Sequence, residues 1–371
     1  VSAGGDRTAS LPTTGGGSKT DAHGVTMLKP SISGGMSWTS DWSTSRTFGF
    51  GFDPKDPWME GRGSGTYKAG GGELKISGST PRLYVQDPSN SKQWRDLEIT
   101  TYFKKTNDFG SAYDGMTAVA RTNHLPDSNS CDTRGLASRF RNDGHIDFEK
   151  ETAHPSSKTV VNKTQWSGGL PKNVWIGYKY LVFDLPNGNV RVESWIDTTD
   201  GANGGSWKLL NSFEDNGNNW GTGGTACKSG INPAMKLTNA SSRSGSETGK
   251  PNASVYFRST SVGTDGLVLK KASVREIDAD GSFSTATAST TSSGGATVNL
   301  DGSVSDDGYP NPPAATSVTW SKVSGPGSVS FDNPRAVDTA ATFTVAGTYV
   351  LRLAATDGRA TTTDDVTVVV R

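Results

Sequence analysis

The sequence predicts an all-β protein made of two sandwiches. Three observations point that way. Of 371 residues, 46 are glycine, and the runs between them are short, rich in Ser and Thr, and poor in helix-favouring stretches. Several runs alternate apolar and polar residues with the period of a strand. Turn signals separate them, Pro186-Asn187-Gly188-Asn189 foremost. The length suffices for two domains and a sizeable core.

Taken in order, residues 1–24 read as an arm. It holds one strand-like segment and then a Gly-rich linker over Thr13–Ser18. Residues 25–277 read as the large domain. Leu97, Ile99, Thr101 and Phe103 share one strand face, with Glu98, Thr100, Tyr102 and Lys104 on the other. Val174–Phe183 is apolar nearly throughout and reads as a central strand buried on both faces. The Pro186–Asn189 turn leads to Val190, Val192, Ser194 and Ile196, which oppose Arg191, Glu193 and Trp195. Asn142-Asp143-Gly144 marks a second hairpin, and Ser254–Arg258 with Leu267–Lys271 close the domain. Residues 278–296 read as a Ser/Thr/Ala linker, or as a weak strand followed by a linker. Residues 297–371 read as the small domain.

Formal net charge is zero, with 37 basic and 37 acidic residues. Bulk electrostatics therefore give no reason to expect a nucleic-acid or anionic-membrane partner. No run of apolar residues is long enough to span a membrane as a helix. The chain begins at Val1 rather than Met, which gives the expectation of a processed extracellular or cell-surface protein. In that setting Cys131 and Cys227, both in polar turn-rich surroundings, are expected to form one disulfide. Sequons stand at Asn162, Asn239 and Asn252.

The small domain carries Val298-Asn299-Leu300-Asp301-Gly302, Trp320-Ser321-Lys322-Val323-Ser324-Gly325-Pro326-Gly327 and Ala346-Gly347-Thr348-Tyr349. These segments resemble PKD-like domains of the immunoglobulin-like fold. In that family a strand of the form V-x-A-G-x-D-x-T-x-x-L-P precedes the first segment. Here the pattern stands at the N-terminus, as Val1, Ala3, Gly4, Asp6, Thr8, Leu11 and Pro12. The displacement implies strand donation. The arm of one copy would enter the PKD-like domain of the next, or fold back onto that of its own chain, lined by Val298, Leu300, Phe343, Tyr349 and Leu351. Repeated head to tail, that contact makes a filament.

The large domain has its own resemblance, carried by Trp58–Tyr67, Pro81–Val85, Phe148–Glu151, Pro171–Gly177 and Ser273–Ile277. These runs are similar to secreted microbial proteins with a concanavalin-like jelly roll, whose functional relatives are lectin-like modules and jelly-roll polysaccharide lyases. The resemblance implies an antiparallel sandwich that binds glycans, or a lyase acting on uronate polysaccharides. A lyase needs a charge neutraliser, a base and a proton donor. The candidates are Arg121, His124, Lys150, His154, Tyr178 and Tyr180. The chain matches none of the lyase motifs closely, and Tyr102-Phe103-Lys104 shares only the opening of one. Little or no depolymerising activity is therefore expected. Trp166, Trp207 and Trp220, in Gly/Asn/Ser-rich loops, are the expected glycan contacts, with Trp175 and Trp320 in the cores. Asp147, Glu149 and Glu151 form an acidic strand face short of the paired carboxylates of a glycosidase. No cofactor is expected beyond a structural Ca2+ at Asp197 and Asp200. The partners expected are copies of the chain itself and a polysaccharide.

Overall fold

A computed structural model of the chain describes residues 20–32, 34–89, 92–124, 133–153, 156–221, 234–239, 254–279, 285–292, 297–305, 316–356 and 361–370. Contacts divide them into two units, 20–26 with 31–277 and 27–30 with 278 onward. Among the described residues the regular structure is all strand, apart from a 3-10 turn at Ala202–Gly204. None of these residues forms a helix long and apolar enough to cross a membrane.

The first unit is a jelly-roll sandwich of two antiparallel sheets. One runs, in spatial order, β15 (Lys208–Asp215), β14 (Val190–Asp197), β13 (Ile176–Asp184), β8 (Leu97–Lys105), β17 (Val262–Glu276), β6 (Glu73–Gly78), β5 (Gly65–Gly70) and β2 (Arg46–Phe48), with β1 (Ser37–Thr39) also on β17. The other runs β12 (Ser156–Thr164), β11 (His145–Ala153), β10 (Gly135–Arg141), β9 (Gly115–Thr122), β16 (Ser254–Arg258), β7 (Arg82–Gln86), β4 (Asp56–Arg62) and β3 (Gly51–Asp53). Alternation decides which side chains meet between the sheets. Leu97, Ile99 and Phe103 of β8 join Leu83 and Val85 of β7 and Val255 and Phe257 of β16 in one core. The Pro186–Asn189 turn joins β13 to β14, with Gly188 at φ 76° and its N–H on the Leu185 carbonyl at 2.8 Å.

The first sheet is covered on both faces over its central strands β13 and β8, as the apolar run in β13 requires. Val25 is fully buried, the Asp21 carboxylate accepts from Ser273 Oγ at 2.8 Å, and Thr26 N–H donates to the Gly204 carbonyl at 2.9 Å. Residues 20–24, read from sequence as the end of the arm, thus belong with this unit. Beneath that outer cover Lys179 donates to Glu98 at 2.6 Å and to Thr100 at 2.8 Å, while Arg275 holds the other Glu98 oxygen at 2.5 Å. A buried charge needs such partners. Burial pushes the Lys179 ammonium below the usual lysine range, with Glu98 opposing.

The second unit is a smaller sandwich. Its four-stranded sheet runs β18 (Thr285–Ser292), β19 (Thr297–Ser305), β22 (Thr339–Phe343) and β21 (Val329–Phe331). Its three-stranded sheet runs β20 (Ser317–Ser324), β23 (Gly347–Thr356) and β24 (Thr361–Val370). Trp320 is buried in its core, as expected, and donates its indole N–H to the Val337 carbonyl at 3.1 Å. Gly325, at φ 135°, lies against the Tyr349 ring, where a Cβ would come within 2.2 Å of Cδ1. No other residue fits there.

The vacant edge expected beside Val298 and Leu300 is occupied. The Ser/Thr/Ala stretch is not only a linker: β18 pairs with β19 along eight residues, from Thr285 opposite Ser305 to Ser292 opposite Val298. Val298, Leu300, Phe343, Tyr349 and Leu351 are buried together in one closed core. Small polar side chains hid this strand in the sequence, because its backbone pairing carries no apolar alternation. The donor segment, Val1 to Pro12, lies outside the described residues.

Candidate functional site

The residues proposed from sequence for chemistry are mostly structural. Arg121 stands on β9 at φ 52°, is 1% exposed and is held by Asp184 at 2.8 Å, Asp96 at 2.7 Å and the Leu237 carbonyl at 2.8 Å. It cannot reach a ligand as a free cation. Burial pushes the Asp96 carboxyl up, against the pull of Arg121. Lys150 is buried, donates to Asp215 at 2.9 Å and sits 5.4 Å from the Trp220 ring centre. Burial lowers its pKa, with Asp215 opposing. Tyr178 and Tyr180 both point into the core, where Tyr178 donates to the Ser138 carbonyl at 3.0 Å. Burial raises both phenols well above the usual tyrosine range. Neither is available for proton transfer to a ligand. His154, Cys131 and Cys227 lie outside the described residues.

The tryptophan assignment reverses. Trp207 and Trp220 are 2% and 1% exposed, with their indole N–H groups on the Gly204 and Lys158 carbonyls at 3.0 Å and 2.9 Å. Trp166 is half-buried against Phe140. Trp175, expected in the core, is instead half-exposed, with the ammonium groups of Lys104 and Lys270 at 4.3 Å and 4.1 Å from its ring centre.

Asp197 and Asp200 do not converge. Asp197 organises its own loop, accepting from Thr199 N and Oγ1, Gly201 N, Ser206 N and the Tyr102 hydroxyl. Asp200 pairs with Lys270 at 2.7 Å. Among the described residues no group of three or more His, Cys, Asp or Glu side chains is arranged for a metal ion. Of the sequons, Asn162 is exposed on β12, whereas the Asn239 amide donates to Asp96 at 3.0 Å, and Asn252 lies outside the described residues.

The outward face of the eight-stranded sheet does gather functional groups. Antiparallel register aligns side chains in rows across the strands, spaced about 4.8 Å apart. One row holds Arg62, Arg82, Arg258, Thr117, Arg139 and Asp147 on six successive strands. The next row holds Glu60, Tyr84, Tyr256, Val119, Ala137 and Glu149. Tyr84, Val119, Ala137 and Tyr256 form an apolar cluster separate from the main core. The two tyrosine rings lie 4.6 Å apart, and the His124 ring is 5.7 Å from Tyr256. These four side chains are only 2–5% exposed, so the apolar strip is itself buried, and it runs beside a row of guanidinium groups.

Most of these charges are paired. Arg139 forks onto Asp147 at 2.6 and 2.8 Å and reaches Glu149 at 3.2 Å. Arg258 reaches Glu149 at 3.1 Å, Arg62 holds Glu60 at 2.6 Å, and His124 Nε2 meets Glu151 at 2.8 Å. Arg82 differs. It donates only to the carbonyls of Pro81 and Ser259, at 3.0 and 2.9 Å, and has no carboxylate partner among the described residues. Burial and the neighbouring Arg258 lower its pKa. Burial raises Tyr256 to about 12, with Arg258 opposing, and it raises Tyr84 further. Both phenols are therefore neutral hydrogen-bond donors near pH 7.

Sequence reasoning passed over this face. Arg82, Tyr84 and Gln86 alternate with Leu83 and Val85, and Tyr256 and Arg258 alternate with Val255 and Phe257. That alternation was the available signal. What it lacked was register, since residues from positions 62 to 258 meet only through long-range pairing.

A family model described as a PKD domain matches residues 286–370, so the second unit is a PKD-like domain that includes most of β18. Among solved structures, the exoplasmic/lumenal domain of VIP36 in its Ca2+-bound form is similar at 11% identity and TM-score 0.30, over 61% of this chain and 86% of its own. The binding domain of botulinum neurotoxin serotype D is similar at 9% identity and TM-score 0.32, over 92% and 78%. An alginate lyase in complex with an alginate tetrasaccharide is similar at 12% identity and TM-score 0.26, over 66% and 98%.

Proposed function

We propose that the protein binds carbohydrate, and that its ligand is an acidic polysaccharide laid on the outward face of the eight-stranded sheet. The observation that carries this reading is the guanidinium row, in which the partly exposed Arg82 lacks a carboxylate partner among the described residues. A uronate carboxylate matches the planar fork of Arg82. The reading suits an extracellular or cell-surface protein. Binding rather than cleavage is favoured, because Arg121, Lys150, Tyr178 and Tyr180 are locked in the interior.

The test is titration calorimetry of the full chain with a polyuronate. Wild type should bind, and Arg82→Gln should weaken binding at least tenfold, with the fold retained by circular dichroism. Absence of wild-type binding to both acidic and neutral polysaccharides overturns the reading. Release of unsaturated product, seen in ultraviolet absorbance and lost in His124→Ala, would make the protein a lyase instead.

Head-to-tail assembly is the second reading, and it now requires exchange. Residues 1–12 of one copy would have to displace β18 of another. What favours it is composition: β18 is built only from Thr, Ala and Ser, whereas the arm brings Val1, Ala3 and Leu11. Deleting residues 1–12 should abolish any filaments visible in electron micrographs of the native protein. Filaments that persist after the deletion rule strand donation out.

A further inference from the structure

The tyrosine row does not end at Glu60. On the next strand, β3, Phe52 lies directly opposite Glu60 and so shares its face. Phe52 is 55% exposed, and Phe50, two residues before it, is 73% exposed. The Arg62 guanidinium, the first member of the arginine row, lies over the Phe50 ring at 4.7 Å. Beside Phe52 opens a cavity of about 420 Å³ lined also by Pro54, Lys55, Asp56, Pro57 and Pro88. Two exposed phenylalanines next to a proline-walled hollow are unusual for a solvated edge, which normally carries charge.

We propose that Phe52 and Phe50 form a distal sugar subsite, so that one polysaccharide chain runs across the strands from Arg82 to β3. This deepens the carbohydrate reading above and rests on it. Two observations choose this occupant. Phe52 continues the Tyr84–Tyr256 row in register, two strand spacings or about 10 Å from Tyr84. The guanidinium row reaches Phe50 through Arg62, so exposed ring surface meets a cation at this end of the face. A polymer of repeating acidic sugars presents the same two features along its length. The carboxylate of Glu60 separates the two aromatic zones. It is already held by Gln86 at 2.9 Å and Arg62 at 2.6 Å, which reduces its repulsion of an anionic chain.

The inference predicts affinity that grows with chain length. Calorimetry should compare a uronate tetrasaccharide with a uronate decasaccharide on wild type, Phe52→Ala and the Phe50→Ala/Phe52→Ala pair. The decasaccharide should bind wild type more tightly, and the double variant should lose about tenfold for it alone. Both substitutions are at exposed positions, so folding is not at risk. Equal affinity of wild type for the two oligomers, or unchanged decasaccharide binding in the double variant, overturns the distal subsite while leaving carbohydrate binding intact. Failure of wild type to bind either oligomer removes the carbohydrate reading itself. If the variants instead abolish self-association in sedimentation without changing sugar affinity, the patch is a contact between copies and the proposal is wrong.

Discussion

Asp197 illustrates how one side chain can organise a loop. Burial pushes its carboxyl up, but hydrogen bonds from Thr199, Ser206 and Gly201 outweigh burial and hold it below the usual carboxylate range. A folded-state value below the unfolded one of about 3.9 adds stability that is fully present at neutral pH. That stability is lost as pH falls through the folded value. Asp197→Asn puts an amide where only acceptors fit. The variant should melt below wild type at pH 7, with the gap closing as the pH is lowered beneath about 4. A gap that is independent of pH would show that the charge is irrelevant. Arg121 teaches the complementary point. The sequence marked it as a candidate catalytic cation because it stands beside Asn123 and His124. Its partners, Asp96 and Asp184, are distant in sequence, so pairing was invisible there. Replacing it with Met should destabilise the fold by about 3–5 kcal/mol, since two half-buried carboxylates lose their cation. A smaller loss in denaturant titration would mean that water serves them equally well.

Strands declare themselves in sequence when one face is buried against the core and the other is not. β14 was legible for that reason; β8, buried on both faces, was legible because Glu98, Thr100 and Tyr102 alternate with its apolar residues, and the turns at Gly144 and Gly188 were legible from their Asn, Asp and Gly residues. β18 was ambiguous, because Thr, Ala and Ser give no contrast between faces. β7 and β16 were legible as strands but not as a site, because alternation fixes which side chains share a face and says nothing of which strand lies alongside. β18 is open to a direct test. Backbone N–H groups alternate in direction along a strand, so of two adjacent residues one must point toward β19. Replacing Thr287 and Ala288 together by Pro therefore removes a ladder bond whichever way the strand faces, and Pro is rejected from paired strands. The full chain so altered should show a less stable PKD-like domain by calorimetry. An unchanged profile would mean that β18 contributes nothing to that domain.

At the scale of the molecule, the two hydrophobic clusters share no residue. Two calorimetric transitions are expected, and Leu351→Ala, which empties a fully buried site in the smaller core, should lower one of them at a cost of about 2–5 kcal/mol. A single transition that shifts as a whole would mean that the units unfold together. Zero net charge adds a second expectation. Attraction of an acidic polymer must come from the arginine row, since the molecule as a whole offers no field, so salt should weaken binding over a range set by a screening length near 8–10 Å. The row has one more consequence. Its members are set apart by the hydrogen-bonding distance between neighbouring strands, a length that no substitution of side chains can alter. On the carbohydrate reading proposed above, such a surface would act as a ruler: it would discriminate among polymers by the pitch at which their acid groups recur, and two chemically different chains with the same pitch would compete for it on equal terms.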